Sequence, residues 1–189
     1  MQHEITQAIP LLDEQGELTQ PGWARRLLPV YDRSKVRGGP LRLKERDCYL
    51  VMNRQCALAL TISDNRYMGM DSISLIDLWE GWRVTRSPMR LMPLGGTGLP
   101  QSSLRGSCAR AGRGYGLLFQ HEGEGRTLHA HMDRFRDGQA LDAQILLTQE
   151  PEESIVMCTP FEKPGQFYFN QKINCMRAQG KVTLGDREY

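Results

Sequence analysis

The sequence of 189 residues predicts an all-β, mainly antiparallel protein, folded as a barrel or a strongly curved sandwich with one short N-terminal helix. Short apolar segments that alternate with polar residues recur along the chain, and turn signals such as Asn53-Arg54, Asp64-Asn65 and Glu80-Gly81 separate them. The chain has 19 glycines and 10 prolines but few apolar runs of helical period. These features favour antiparallel hairpins over a parallel sheet with helical connections.

Residues 1–40 are predicted to form an N-terminal arm and the single helix. The segment from Thr19 to Gly22 offers a cap and a proline at a first helical turn, and Trp23, Leu27 and Leu28 share one helical face. The arm carries apolar side chains that could dock on a core, namely Ile5, Ile9, Leu11 and Leu12. Residues 41–189 are predicted to form one antiparallel β-barrel-like domain.

One hairpin can be assigned a register from its own alternation. Pairing His121 with Arg126 places the apolar residues of both strands on the same face, namely Tyr115, Leu117, Phe119, Leu128, Ala130 and Met132. The opposite face then carries His129, His131 and Asp133. Two histidines two residues apart, with an aspartate beyond them, could hold a metal ion. The alternative is that they are surface or hydrogen-bonded side chains.

The stretch from Thr159 to Met176 is predicted to complete the sheet. Pro164 and Gly165 suit the two central positions of a type II turn, and a long strand is expected from Gln166 to Met176. One face of that strand would carry the polar side chains Tyr168, Asn170, Lys172 and Asn174. If this face lines a cavity, the four residues would orient the polar head group of a ligand. If it faces outward, water satisfies them.

Composition limits the partners that the chain can have. The net charge of +2 is too small to imply a nucleic-acid partner, and none is predicted. Basic residues concentrate between Trp23 and Arg46, which indicates either a solvated basic face or a contact with an anionic lipid surface or polyanion. The glycine- and proline-rich segment from Pro88 to Ser103 lacks the residues that follow a phosphate-binding loop, so a mobile loop or lid is expected there.

The cysteines and the N-terminus indicate a cytoplasmic location. No cysteine pair has the spacing of a redox or metal motif, so reduced thiols are expected at Cys48, Cys56, Cys108, Cys158 and Cys175. The first residues include acids and lack an uninterrupted apolar run, so no signal peptide is expected. No stretch reaches the length of a transmembrane segment, and no cofactor is predicted.

Several segments carry a resemblance to a known family: LLDEQGELTQPGWARRLL, YDRSK, DNRYMGM, MPLGGTGLP, TPFEKPG, NQKINCM and GDREY. On these segments the chain resembles the N-terminal half of the family called domain of unknown function 2804. The resemblance implies a pair of lipocalin-like barrels, similar to carotenoid hydratase-like and tocopherol cyclase-like proteins, which act on long apolar molecules. Residues 41–189 would then be the first half of a longer two-barrel architecture.

Three functional hypotheses follow. The leading one is a binding module for a hydrophobic or amphipathic small molecule, such as a lipid or isoprenoid, because an eight-stranded barrel can enclose one ligand. The second is a hydratase-like or cyclase-like enzyme, which needs an acid in an apolar cavity, with Asp71, Asp133 and Glu162 as candidates. The third is a truncated domain that needs a partner, or a homodimer formed through an exposed strand edge.

Overall fold

Strands form nearly all the regular structure of this protein. The computed structural model describes residues 3–121, 123 and 125–189. Within them lie β1 (Ile9–Pro10), β2 (Gly22–Ala24), β3 (Pro29–Val30), β4 (Glu45–Met52), β5 (Cys56–Asp64), β6 (Met68–Asp77), β7 (Trp82–Arg86), β8 (Met89–Leu91), β9 (Gly106–Gly112), β10 (Tyr115–His121), β11 (Arg126–Arg136), β12 (Gln139–Thr148), β13 (Ile155–Pro160), β14 (Phe167–Lys172), β15 (Arg177–Leu184) and β16 (Arg187–Glu188). The all-β, mainly antiparallel class is confirmed.

The chain divides into two compact units. The small unit comprises Met1–Gly39 and Gln149–Arg177, and the large unit comprises Pro40–Thr148 and Ala178–Tyr189. The small unit has a three-stranded sheet in the order β14-β13-β2 and a parallel pair, β1 with β3. The large unit has a five-stranded and a six-stranded sheet.

The five-stranded sheet of the large unit runs in the order β4-β5-β6-β7, with β8 paired to β6 beside β7. An acidic or amide side chain shapes each of the three turns that link β4 to β7. Asn53 accepts hydrogen bonds from the backbone N–H groups of Gln55 and Cys56, both at 2.8 Å. Asp64 and Asp77 accept equivalent bonds after the next two strands. These short side chains mimic a backbone turn, so the predicted antiparallel hairpins form.

The six-stranded sheet runs in the order β16-β15-β12-β11-β10-β9. The predicted register of β10 and β11 is confirmed, because His121 pairs with Arg126 and Leu117 pairs with Ala130. The ring of Phe119 contacts the ring of Tyr49 from the five-stranded sheet, with centroids 4.8 Å apart. The inner faces of the two sheets are lined by buried apolar side chains, including Leu58, Leu60, Ile62, Ile73, Leu75, Leu117, Leu128, Leu141 and Ile145.

The small unit has a separate and smaller core. Its buried members are Ile5, Leu11, Leu12, Ala24, Val156 and Cys158, and partly buried side chains that include Leu18, Tyr31, Phe167 and Phe169 pack against them. The arm therefore docks as the pattern of its apolar residues indicates. The turn at Pro164 and Gly165 also forms, since Gly165 has φ of 70° and the N–H of Gln166 donates to the carbonyl of Lys163 at 3.1 Å.

The predicted N-terminal helix is wrong. Residues Gly22–Ala24 form strand β2, which pairs antiparallel with β13, and the helical residues among those described are the 3₁₀ turn Arg33–Lys35. The N–H of Trp23 donates to the carbonyl of His3, and a side chain at Gly22 would collide with that carbonyl. Pairing with distant strands overrides a local helical pattern of this length.

The long strand predicted from Gln166 to Met176 is also wrong in its extent. Strand β14 ends at Lys172, and Cys175 takes the left-handed backbone conformation with φ of 65°. The predicted barrel is not confirmed, because the strand pairings of the described residues form four open sheets without a closed ring. Without closure, the interior of a barrel cannot be assumed as a ligand site.

Candidate functional site

An open apolar cleft lies on the small unit. Its volume is about 370 Å³, and its walls are Ala8, Ile9, Pro10, Leu12, Val30, Asp32 and Lys35. The parallel pairing of β1 and β3 forms it, with the N–H of Ile9 bonded to the carbonyl of Leu28 at 3.2 Å and that of Leu11 to Val30 at 2.9 Å. Both strands are two residues long, so their pairing stays narrow and the groove beside it stays open.

One end of the cleft is charged. Asp32 caps the 3₁₀ turn by accepting hydrogen bonds from the N–H of Ser34 at 2.9 Å and its hydroxyl at 2.7 Å. These bonds, the hydroxyl bond foremost, lower the pKa of Asp32 below its ordinary value. The ammonium of Lys35 lies 2.6 Å from the Glu14 carboxylate. The cleft thus combines an apolar wall with an ionic end. Sequence reasoning missed it, although the YDRSK segment contains both charged residues.

The four predicted head-group residues lie on β14 or just after it, and none of them lines this cleft. Tyr168, Lys172 and Asn174 are exposed, whereas Asn170 is half-buried. The Oδ1 atom of Asn170 is buried and has no hydrogen-bond partner among the described residues. Of these four residues, Asn170 is therefore the one with an unmet hydrogen bond. Their role in holding a head group stays a prediction.

Two of the three predicted metal ligands, His131 and Asp133, form a hydrogen-bonded cluster with Asp142. His131 places Nδ1 2.7 Å from Asp142 and Nε2 3.0 Å from Asp133, and these contacts, with Asp142 the stronger, raise the pKa of His131. His129 lies opposite Gln144 on the neighbouring strand. Within residues 3–121, 123 and 125–189, no group of three or more His, Cys, Asp or Glu side chains is placed to hold a metal.

The three acid candidates have different surroundings. Asp71 is fully buried, and Arg90 donates to both of its oxygens, at 2.9 and 3.1 Å. The hydroxyl of Tyr115 donates to the same carboxylate at 2.8 Å. Asp133 and Glu162 are exposed. Asp71 is thus placed as a hydrogen-bond acceptor, and none of the three stands alone in an apolar cavity.

Sequence reasoning also missed a small polar cavity between the sheets of the large unit. Its volume is about 20 Å³, and its lining includes Asp47, Tyr49, Ser103, His121 and Arg126. Burial raises the pKa of Asp47, and the charge of Arg126 partly offsets this effect. Burial, with the Asp47 charge, also raises the pKa of Tyr49 to about 12. A space of this size holds about one water molecule, so it cannot admit a lipid.

These observations define an all-β protein of mainly antiparallel sheets, with an open apolar cleft at its parallel pair of short strands. The chain belongs to the family described as Domain of unknown function (DUF2804), whose model matches residues 2–189. No curated protein matches the chain. No solved structure matches it either.

In the part of the chain that the structure describes, no helix has the length and the apolar character needed to cross a membrane.

Proposed function

We propose that this protein is a binding module for a hydrophobic or amphipathic small molecule of the lipid or isoprenoid class, which it holds in the cleft of the small unit. The observation that carries the proposal is the cleft itself. Its volume of about 370 Å³ lies within the range of small-molecule sites, roughly 300–1,000 Å³, and its wall is mainly apolar.

The ionic end of the cleft supports an amphipathic ligand over a purely apolar one. An acyl or prenyl chain would cover Ile9, Leu12 and Val30, and burial of apolar area would supply most of the binding free energy. A polar head group would lie beside Lys35, whose ammonium already pairs with the carboxylate of Glu14. An anionic head group would compete with Glu14 for Lys35, so this ion pair would contribute modestly to affinity.

The cleft suits such a ligand better than the interior of the large unit. In the large unit, the facing sides of the two sheets are covered by buried side chains such as Leu60, Leu75 and Leu128. The polar cavity beside Asp47 has about one-eighteenth of the cleft volume, and it holds about one water molecule.

Titration with a fluorescent fatty acid below its micellar concentration tests this proposal. Wild-type protein should bind the probe saturably at one site. Ala8→Trp should weaken binding about tenfold or more, because the exposed Ala8 lines the cleft and the indole would occupy the ligand volume. Lys35→Met should weaken binding roughly two- to fivefold for the fatty acid and leave binding of the matching fatty alcohol unchanged.

Ile155→Trp is the matched control, since Ile155 is exposed on the same unit but lies outside the cleft lining. It should bind the probe like the wild type. Equal affinity of the Ala8→Trp and Ile155→Trp proteins, or no saturable binding by the wild type, would refute the proposal.

A further inference from the structure

One end of the five-stranded sheet displays a cluster of apolar side chains to solvent. This apolar tip consists of Tyr67, Met89, Leu91, Met92 and Leu94, all of them exposed, with Leu91 at 88% and Met89 at 68%. Strand β8 pairs with the start of β6, so its outward side chains lie beside the turn that holds Tyr67. Contiguous exposed apolar residues are uncommon in single soluble domains and mark an interaction surface.

The backbone of the tip is held in place by hydrogen bonds. The N–H of Met92 donates to the carbonyl of Tyr67, and that of Leu94 to the carbonyl of Arg66, both at 3.0 Å. The guanidinium of Arg66 returns a bond to the carbonyl of Leu94 at 2.6 Å. The backbone of the tip therefore has a defined conformation, and little conformational entropy would be lost when it binds.

A buried aspartate anchors the segment that follows. Oδ2 of Asp64 accepts hydrogen bonds from the hydroxyl of Thr97 at 2.7 Å and the N–H of Gly95 at 3.0 Å. Burial alone would raise the pKa of Asp64, but these bonds and that from Arg66 lower it below its ordinary value. These bonds join the glycine-rich segment to the sheet at Gly95 and Thr97, and its predicted mobility stays a prediction.

The chain at the tip is also strained in a way that exposes apolar groups. Met92 and Leu94 have φ of 50° and 53°, in the left-handed region that large side chains seldom occupy. Each such residue costs on the order of 1 kcal/mol or more, and the surrounding hydrogen bonds must maintain it. Strained backbone conformations of this kind cluster at binding sites. The two exposed apolar side chains add no buried contact that would offset the strain, so a role in binding accounts for them better than a role in folding.

In the described segments that form or adjoin the tip, the exposed charged side chains are positive. Within residues 41–46, 65–70 and 88–100, the exposed charged side chains are Arg42, Lys44 and Arg46. Arg46 pairs in register with Ser63, next to the turn that holds Tyr67. The carboxylates of this region are withdrawn from solvent, because Glu45 lies 3.8 Å from Arg66 while Asp64 and Asp71 are buried.

We propose that the apolar tip docks on an anionic lipid surface. Leu91, Met89 and their neighbours would enter the boundary between head groups and acyl chains, and the cations at the start of β4 would contact anionic head groups. An apolar face rimmed by lysine and arginine is the pattern of interfacial membrane binding. Self-association through the tip is disfavoured, because it would bring the cations Arg42, Lys44 and Arg46 of two copies close together.

Vesicle flotation tests the proposal, with vesicles of phosphatidylcholine alone or with 30% phosphatidylserine. Wild-type protein should bind the anionic vesicles, bind the neutral ones about tenfold less, and be released as the salt concentration rises. Leu91→Glu should reduce binding to the anionic vesicles about tenfold or more, because it removes an apolar side chain that would enter the bilayer and adds a negative charge that the anionic head groups repel. Lys44→Glu combined with Arg46→Glu should reduce it at least as much.

Trp79→Glu is the matched control, because Trp79 is exposed just beyond the opposite end of β6. It should bind vesicles like the wild type. Leu91→Glu should still bind the soluble fatty-acid probe, which separates failure of docking from failure of the cleft. Equal vesicle binding by Leu91→Glu and wild type would overturn the proposal. A wild-type dimer that Leu91→Glu converts to a monomer, measured by light scattering, would also overturn it in favour of a second copy.

Discussion

The two units of this chain use their strands differently. The large unit pairs strands of up to 11 residues, and its facing sheets bury apolar side chains against each other. The small unit combines a three-stranded sheet with strands of two residues, and it carries the cleft of about 370 Å³. The open space lies where strand pairing is brief, because short strands leave part of an apolar wall uncovered.

Replacing a buried leucine by alanine should destabilise the large unit more than the small unit. Leu75→Ala should lower the free energy of unfolding by about 4 kcal/mol, and Leu11→Ala by about 2 kcal/mol. Both side chains are buried, but Leu75 lies inside β6 in register with Leu58 and Val84, whereas Leu11 follows a two-residue strand. The cost of a cavity falls where the surrounding chain can relax.

Urea denaturation followed by circular dichroism measures this difference. Leu146→Ala is the control, since Leu146 is exposed on β12, and it should change the unfolding free energy by less than about 0.5 kcal/mol. If Leu11→Ala proves as costly as Leu75→Ala, the small unit is as rigidly packed as the large one, and the contrast between them is lost.

A smaller effect concerns the surface of the large unit. The folded pKa of His131 is raised above 6.5 by Asp142 and Asp133, so its pairing stabilises the protein fully below pH 6.5 and this gain disappears as pH rises through the folded pKa. The imidazole is nearly half exposed, so solvent screening limits the gain to about 0.5 kcal/mol. His131→Gln should remove this pH dependence, measured by urea denaturation between pH 5 and about 8.

Titration of the His131 ring by NMR gives a second readout of the same cluster. Its midpoint should lie above 6.5 in the wild type and move down in Asp142→Asn, because Asp142 is the stronger partner. A wild-type midpoint at or below 6.5 would mean that the two carboxylates do not hold this ring in solution.

Local pattern predicted the hairpins well. The alternation of β10 and β11 fixed their register, because a slip of one residue would have exposed Leu117 and Leu128 to solvent. The turn at Pro164 and Gly165 followed from the backbone preferences of those two residues. Such features depend on residues that are close in sequence, so the local amino-acid pattern is enough to predict them.

The predictions that failed, and the sites that were missed, depend on contacts between residues that are far apart in sequence. The segment from Thr19 to Leu28 resembles a helix by its caps and spacing, yet Trp23 pairs with Met157, which belongs to the second sequence segment of the small unit. The cleft could not be predicted for the same reason, since it requires β1 and β3 to lie side by side. Asp47 gave no signal because only folding places it opposite Arg126 and His121.

Photo-crosslinking with a diazirine fatty acid, followed by peptide mapping, tests the central claim most directly. If the cleft holds the ligand, saturable labelling should fall on residues 8–12 and 30–35, and an excess of unlabelled fatty acid should suppress it. Labelling concentrated instead on residues 168–174 would assign the ligand to the polar face of β14. That result, or labelling that does not saturate, would contradict the assignment of the cleft as the binding site.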